Sequence, residues 1–274
     1  MRPGVRAGMR PEYGLEKNGI MQTTHDGLVE SQFGPQARAY VDSAVHAKGA
    51  DLDALEEIVR QIRPARALDL GAGGGHVSYK LALHAGCVTA ADLSPEMLAA
   101  LAETAKNKGL ANIETVRTTA ETLPFGDASF DFLGCRFSAH HWRDVDAGLR
   151  QARRVLKSGS RAVFIDVCSP GAPALDTHLQ TIEILRDPSH VRDYSMAEWV
   201  SSLARAGFMP ESCRTWRLAI DFPSWIARMR TPEDHVRAIR SLQRMAAQET
   251  KTYFAIEADG SFQFDVLMAD CRAV

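Results

Sequence analysis

Four glycines fill five consecutive positions in "ALDLGAGGGHVSYKLA", residues 67–82, directly behind an apolar run, and an acid stands at the end of that run. The pattern is Asp69-x-Gly71-x-Gly73-x-Gly75. Glycine loses more backbone entropy on folding than any other residue, so this density points to a ligand lying against the backbone. A tight turn alone is satisfied by one or two glycines. The dinucleotide fingerprint G-x-G-x-x-G, counted from Gly71, places its third glycine on His76, which disfavours a nicotinamide-dependent oxidoreductase. A carboxylate at Asp69 repels a pyrophosphate and suits an ammonium or sulfonium group. A second acid, Asp92, ends the next apolar run in "TAADLS". There it can accept hydrogen bonds from ribose hydroxyls, since Ser94 already supplies the following helix cap. The ligand so described is a ribonucleoside without phosphates and with a cationic tail.

A second reactive group is "RFSAHHW", residues 136–142. His140 and His141 are candidate general bases, but adjacent side chains in regular structure do not point the same way, so at most one faces a substrate. A structural hydrogen-bonding role competes for each. Arg136 suits an anionic substrate group, or an ion pair with Asp131 or Asp144. Trp142 suits a pocket wall or core packing. The remaining histidines show no partner pattern, and no H-E-x-x-H or carboxylate cluster suggests a metal. Five scattered cysteines with neither CxxC nor zinc spacing read as free thiols of a reducing cytoplasm.

These residues need elements to hold them. From residue 51 to 166, helical and strand patterns alternate. "DLDALEEIVRQI" has one apolar face and Asp51 as a candidate N-cap. "ARALDL", "CVTAAD", "IETVRT", "FDFLGCRF" and "RAVFIDV" read as strands. "SPEMLAALAETAKNKG" reads as a helix with Ser94 as cap, Pro95 at its first position and Gly109 at its end. Such alternation predicts an α/β, doubly wound, mostly parallel sheet with helices on both faces. Beyond residue 166, helices are expected at 174–186, at 196–206 and between Pro223 and Gln248, with a strand at "CRTWRLAID". Asp259-Gly260 lies between two strand-like runs and predicts an antiparallel C-terminal hairpin over 253–274. Residues 1–27 read as a disordered extension, with Met21 as a second start. Residues 28–274 read as a single domain, with a cofactor-binding core at 51–166. Its region 167–252 includes helices expected to fold over the substrate, as does the segment before residue 51. A net charge of −2 and the lack of an apolar run near 18 residues point away from nucleic acid and integral membrane contact; the assembly state stays open.

"LDLGAGGG", "AADLSPEML", "AETLPFGDASFDFLGCRFSAHHW" and "RRVLKSGSRAVFIDV" resemble successive motifs of the class I S-adenosylmethionine-dependent methyltransferases. They are most similar to the branch that holds the ubiquinone/menaquinone C-methyltransferases, with a type 11 methyltransferase domain. "FGPQARAY", "SPGAP" and "ARMRTPE" also resemble a bacterial group within it. The resemblance implies a Rossmann-like fold and S-adenosyl-L-methionine as cofactor. Asp69, Gly71, Gly73 and Gly75 would line its methionine part and Asp92 its ribose. Leu93 and Met97 would pack near the adenine, with Ala120 and Glu121 at its edge. Relatives often carry an aspartate where this chain has Thr119. The implied reaction is methyl transfer to carbon or oxygen of a small-molecule acceptor; a non-catalytic protein binding the same cofactor is the alternative.

Overall fold

The computed structural model describes residues 23–38 and 49–274. Its core is one sheet, built from β1 (Arg66–Leu70), β2 (Cys87–Asp92), β3 (Ile113–Arg117), β4 (Phe130–Arg136), β5 (Leu156–Ser169), β6 (Tyr194–Ser195), β7 (Phe208–Ile220) and β8 (Phe262–Ala273). The order is β3-β2-β1-β4-β5-β8-β7, with β6 against β5. β1 to β5 run parallel, and β8 is antiparallel to both β5 and β7. Among the described residues the α-helices are α1 (His25–Phe33), α2 (Ala50–Ile62), α3 (His76–Ala82), α4 (Pro95–Asn107), α5 (Val145–Val155), α6 (Pro173–Arg186), α7 (Met196–Ala206), α8 (Phe222–Met229), α9 (Glu233–Met245) and α10 (Gln248–Tyr253).

The pleat explains the layers. Along β5, Val163, Ile165 and Val167 join a core with Leu55 of α2, Val77 of α3 and Ile182 of α6. Ala162, Phe164 and Cys168 face the other way, toward Leu149 of α5 and Leu203 of α7. Successive side chains leave a strand on opposite faces, so the central parallel strands are apolar on both. The same alternation places Asp166 on the α5–α7 face and Asp69 of β1 on the face that α3 covers. α4 begins as its sequence requires: Ser94 Oγ accepts from Met97 N at 3.2 Å and Pro95 takes the first position, sparing backbone donors that would otherwise be unpaired.

Three expectations are corrected. Asp51 lies within the first turn of α2, whose N-cap is Gly49, and its carboxylate is engaged by Arg136 instead. The sheet does end antiparallel, but Asp259-Gly260 joins α10 to β8 rather than two strands. β8 already has both edges occupied, by β5 through Cys168 to Arg161 and by β7 through Ile220 to Phe208, so no edge is left for residues 253–258. Third, the expected disorder of 1–27 lies outside the described residues up to position 22. From His25 onward the chain is helical, with Thr24 Oγ1 accepting from Gly27 N at 3.1 Å.

Candidate active site

The carboxyl ends of β1, β2 and β4 open into a pocket of about 1100 Å³, its open mouth included. Asp69, Gly71, Gly73, Asp92, Leu93, Met97, Ala120, Glu121, Arg136, His141 and Trp142 all line it, whereas Gly75 and His140 do not. The glycine loop curls over the end of β2, where Gly71 N and Ala72 N both donate to Ala91 O at 2.8 and 3.0 Å. Gly71 has φ +72°, and a Cβ there would lie 1.9 Å from Ser138 Oγ. Loop and β4 turn therefore approach too closely for any other residue. Gly75 serves packing: at φ +83° a Cβ would meet Leu101 Cγ at 2.6 Å and the Tyr79 ring at 2.8 Å.

Asp69 is 1% exposed. Ser78 Oγ donates to its Oδ2 at 2.6 Å, while Oδ1 is buried without a hydrogen-bond partner. Burial, partly opposed by the Ser78 hydrogen bonds, pushes its pKa up to about 7. A buried carboxyl of this kind favours ionisation when a cation arrives. Asp92 is held from both sides: Gly73 N donates to Oδ2 at 2.8 Å and Ser94 N to Oδ1 at 2.9 Å. Burial raises its pKa against those bonds. Each oxygen keeps a second lone pair for a ligand hydroxyl. Thr119 spends its hydroxyl on Thr122 Oγ1 at 2.8 Å, and Glu121 Oε1 accepts from Asp144 N at 3.3 Å.

A further wall is the turn after β4. Phe137 sits at φ +50°, a strained conformation for an aromatic residue, with its N donating to Ile165 O at 2.9 Å. This bend throws the short 3₁₀ turn Ala139–His141 over the sheet. Arg136 Nε donates to Asp51 Oδ2 at 2.5 Å. Neither sequence-proposed partner takes it: Asp131 binds Arg66 N and Lys157, and Asp144 caps α5 through Ala147 N. Trp142 is 6% exposed and belongs to both pocket and core, its Nε1 donating to Ser138 Oγ at 3.1 Å.

The two histidine rings lie 4.1 Å apart but make different contacts. His140 turns toward β5, its Nδ1 2.5 Å from Asp166 Oδ1, and its backbone N donates to Asp166 Oδ2 at 3.2 Å. Burial disfavours the charged ring, but the charge and hydrogen bond of Asp166 outweigh it, with Asp193 and Glu183 adding to them, and push its pKa up to about 9. His141 lines the pocket, its ring edge-on to Phe33 at 4.9 Å. Burial and the cationic His140, ring to ring at 4.1 Å, hold its pKa down at about 4. One wall therefore presents a neutral imidazole backed by a charged one.

Of the segments expected to fold over the crevice, the one before residue 51 supplies His25, Val29 and Phe33 to the pocket. His25 Nε2 lies 2.8 Å from His141 O. Among the described residues none of 167–252 lines it; Trp225 and Met229 are each 3% exposed, in the core. Sequence reasoning missed Ser78, Ser138, Phe137 and Asp166. Asp166 did carry a signal, as a lone acid inside the apolar run "AVFIDV". Among the described residues no group of three or more His, Cys, Asp or Glu side chains could hold a metal ion.

A mostly parallel sheet with this order, a glycine turn and two carboxylates at or beside the ends of its first two strands define a fold of the Rossmann-like methyltransferase type. Residues 68–164 match the family model described as "Methyltransferase domain". The uncharacterized protein YafE of Escherichia coli is 46% identical over 198 residues, covering 72% of this chain and 96% of that one. The uncharacterized methyltransferase YcgJ of Bacillus subtilis is 35% identical over 83% of this chain and 90% of its own. Its crystal structure superposes with a TM-score of 0.78, covering 81% of this chain and 97% of that one at 31% identity. The ubiquinone/menaquinone biosynthesis C-methyltransferase of Brucella anthropi is 30% identical over 64% of this chain and 70% of that one. The chain belongs to the S-adenosylmethionine-dependent methyltransferase family. S-adenosyl-L-methionine is that family's cofactor, and the buried unpartnered Oδ1 of Asp69 and the doubly held Asp92 fit its cationic and diol ends. Among the described residues no helix is long and apolar enough to cross a membrane.

Proposed function

We propose that the protein methylates carbon or oxygen of a small-molecule acceptor in the cytoplasm. The observation that carries this reading is the presence, in one pocket, of two fixed carboxylates and a neutral histidine. When bound, S-adenosylmethionine supplies a methyl group made electrophilic by its sulfonium. Asp69 holds the cationic amino-acid end and Asp92 the ribose hydroxyls. Leu93, Met97, Ala120 and Glu121 surround the adenine, with the backbone rather than Thr119 serving its edge. Phe33, Val29 and Trp142 shield the site from water. Alignment of donor and acceptor contributes several kcal/mol in such reactions, and His141 takes the acceptor's proton. Five free thiols suit a reducing compartment.

Isothermal titration with S-adenosylmethionine, S-adenosylhomocysteine and NADH tests the cofactor assignment. Both adenosyl ligands are expected to bind in the micromolar range and NADH not at all. Asp92→Ala is expected to lose more than about tenfold in affinity, about 1.4 kcal/mol. Binding of NADH alone would refute the reading. Turnover on an acceptor panel then separates an enzyme from a non-catalytic binder.

A further inference from the structure

Behind the His141 wall lies a cluster of ionisable side chains that the pocket itself does not use. Asp166 comes from β5, Glu183 from α6, and Asp187, His190 and Asp193 from the chain between α6 and β6. That loop is tied to the histidine turn, with Val191 N and Arg192 N donating to His140 O at 2.8 and 3.2 Å. Buried carboxylate oxygens are normally hydrogen-bonded, yet Asp187 Oδ2 has no hydrogen-bond partner. Its other oxygen is doubly held: Ser189 N and Ser189 Oγ donate to Oδ1 at 2.8 and 2.6 Å. The carboxyl is thereby fixed with Oδ2 3.9 Å from His141 Nε2. On the same ring Nδ1 lies 3.2 Å from Ser189 O. A carbonyl only accepts, so Nδ1 carries the proton and, in the neutral ring, Nε2 carries the lone pair.

We propose that Asp187 is a positioning residue for proton removal, its Oδ2 held to stabilise the N–H that forms on His141 Nε2 when that nitrogen takes a proton from the methyl acceptor. This rests on the methyl-transfer reading above and narrows it. The acceptor atom gives its proton to Nε2 and spends the freed electron pair on the new bond to carbon. The pair of the broken carbon–sulfur bond leaves with sulfur, so the positive charge passes from sulfonium to imidazolium. An acceptor that needs this device is a hydroxyl or an acidified C–H, and not a tertiary amine or a thioether. At 3.9 Å the contact is too long for a hydrogen bond but short enough for opposite charges to shift a protonation equilibrium. The groups facing His141 are His140 on its own turn, Asp166 on β5, Asp187 and Ser189 on the loop, and His25 and Phe33 from α1. Burial and His140 keep the ring neutral at rest; Asp187 and Asp166 favour its protonation.

The test uses full-length protein labelled with 15N-histidine, titrated from about pH 4 to 8 with S-adenosylhomocysteine bound, as wild type and as Asp187→Asn; the spectrum of His141→Asn assigns the ring. The asparagine keeps an Oδ1 for Ser189 and removes only the charge facing Nε2. The protonated fraction of His141 at about pH 5 is expected to fall about threefold or more in Asp187→Asn, with S-adenosylhomocysteine affinity unchanged. An unmoved titration with intact binding overturns the positioning role and leaves the cofactor reading standing. Failure of the wild type to bind the ligand overturns both. If Asp187→Asn does not fold, the wild-type spectrum decides: a resting ring protonated on Nδ1 alone supports the proposal, and one already protonated on Nε2 overturns it.

Discussion

Replacing Asp166 by asparagine removes the charge that keeps His140 an imidazolium and preserves the side chain's size. His140 has an ordinary pKa of 6.5 raised to about 9, and each pH unit is worth about 1.36 kcal/mol, so the charged state contributes about 3 kcal/mol to folding. The side chain is 15% exposed, so solvent screens little of this. A raised pKa in the folded state stabilises at pH values below the unfolded 6.5, and the contribution is lost as pH rises through about 9. In Asp166→Asn burial is opposed only by the more weakly acting Asp193 and Glu183, so the ring loses its proton far more readily and most of the contribution is gone. Urea unfolding at about pH 6 and pH 9.5 should therefore show the variant destabilised by about 3 kcal/mol more at the lower pH than at the higher. Any cost of the altered hydrogen bonds to His140 N and Val167 N is common to both pH values and cancels in the comparison. A destabilisation equal at the two pH values would refute the ion-pair account of His140.

Other outcomes follow from the same geometry. Because Asp69 ionises near 7 when its cation is absent, raising the pH from about 6 to 8 should tighten S-adenosylhomocysteine binding by about tenfold; calorimetry showing a flat profile would remove Asp69 from the ammonium site. Gly71→Ala forces a Cβ to 1.9 Å from Ser138 Oγ at φ +72°, and its unfolding midpoint should drop by several degrees, for a cost of about 1–3 kcal/mol. Gly73→Ala meets nothing within 4 Å and faces the pocket, so it should lose more ligand affinity than Gly71→Ala for a smaller fall in midpoint; the reverse ranking in calorimetry would exchange the roles of the two glycines.

The parallel half of the fold was legible because its cues are local. "CVTAAD" and "RALDL" are apolar without alternation, as strands covered on both faces must be, and Ser94-Pro95 announces a helix start by hydrogen-bond chemistry alone. The antiparallel half was harder. The alternation at 253–258 imitates a strand, and nothing local reveals that β7, some forty residues earlier, already holds the edge of β8. The carboxylates of the site were legible because each ends a strand, where a side chain must face the crevice. Asp51 was misread because a helix-start acid caps in most settings, whereas here Arg136 draws it inward. The environment of His141 is assembled from α1, β5 and the loop at 187–193, and such convergence leaves no periodic trace. Only the Asp-Pro-Ser turn at 187–189, with its bonds from Ser189 to Asp187, has a local signature.

The place of β8 in the sheet bears on how the protein is made. Until residues 262–273 have emerged from the ribosome, β5 and β7 have no strand between them, and each presents a row of unpaired backbone groups of the kind that templates aggregation. The nascent chain thus carries a complete cofactor crevice beside an open sheet. Closure of that sheet joins segments separated by about a hundred residues of chain, from Arg161–Cys168 to Asp265–Arg272, a non-local pairing that slows folding. Synthesis past β8, rather than formation of the glycine turn, is then the event that covers both open edges.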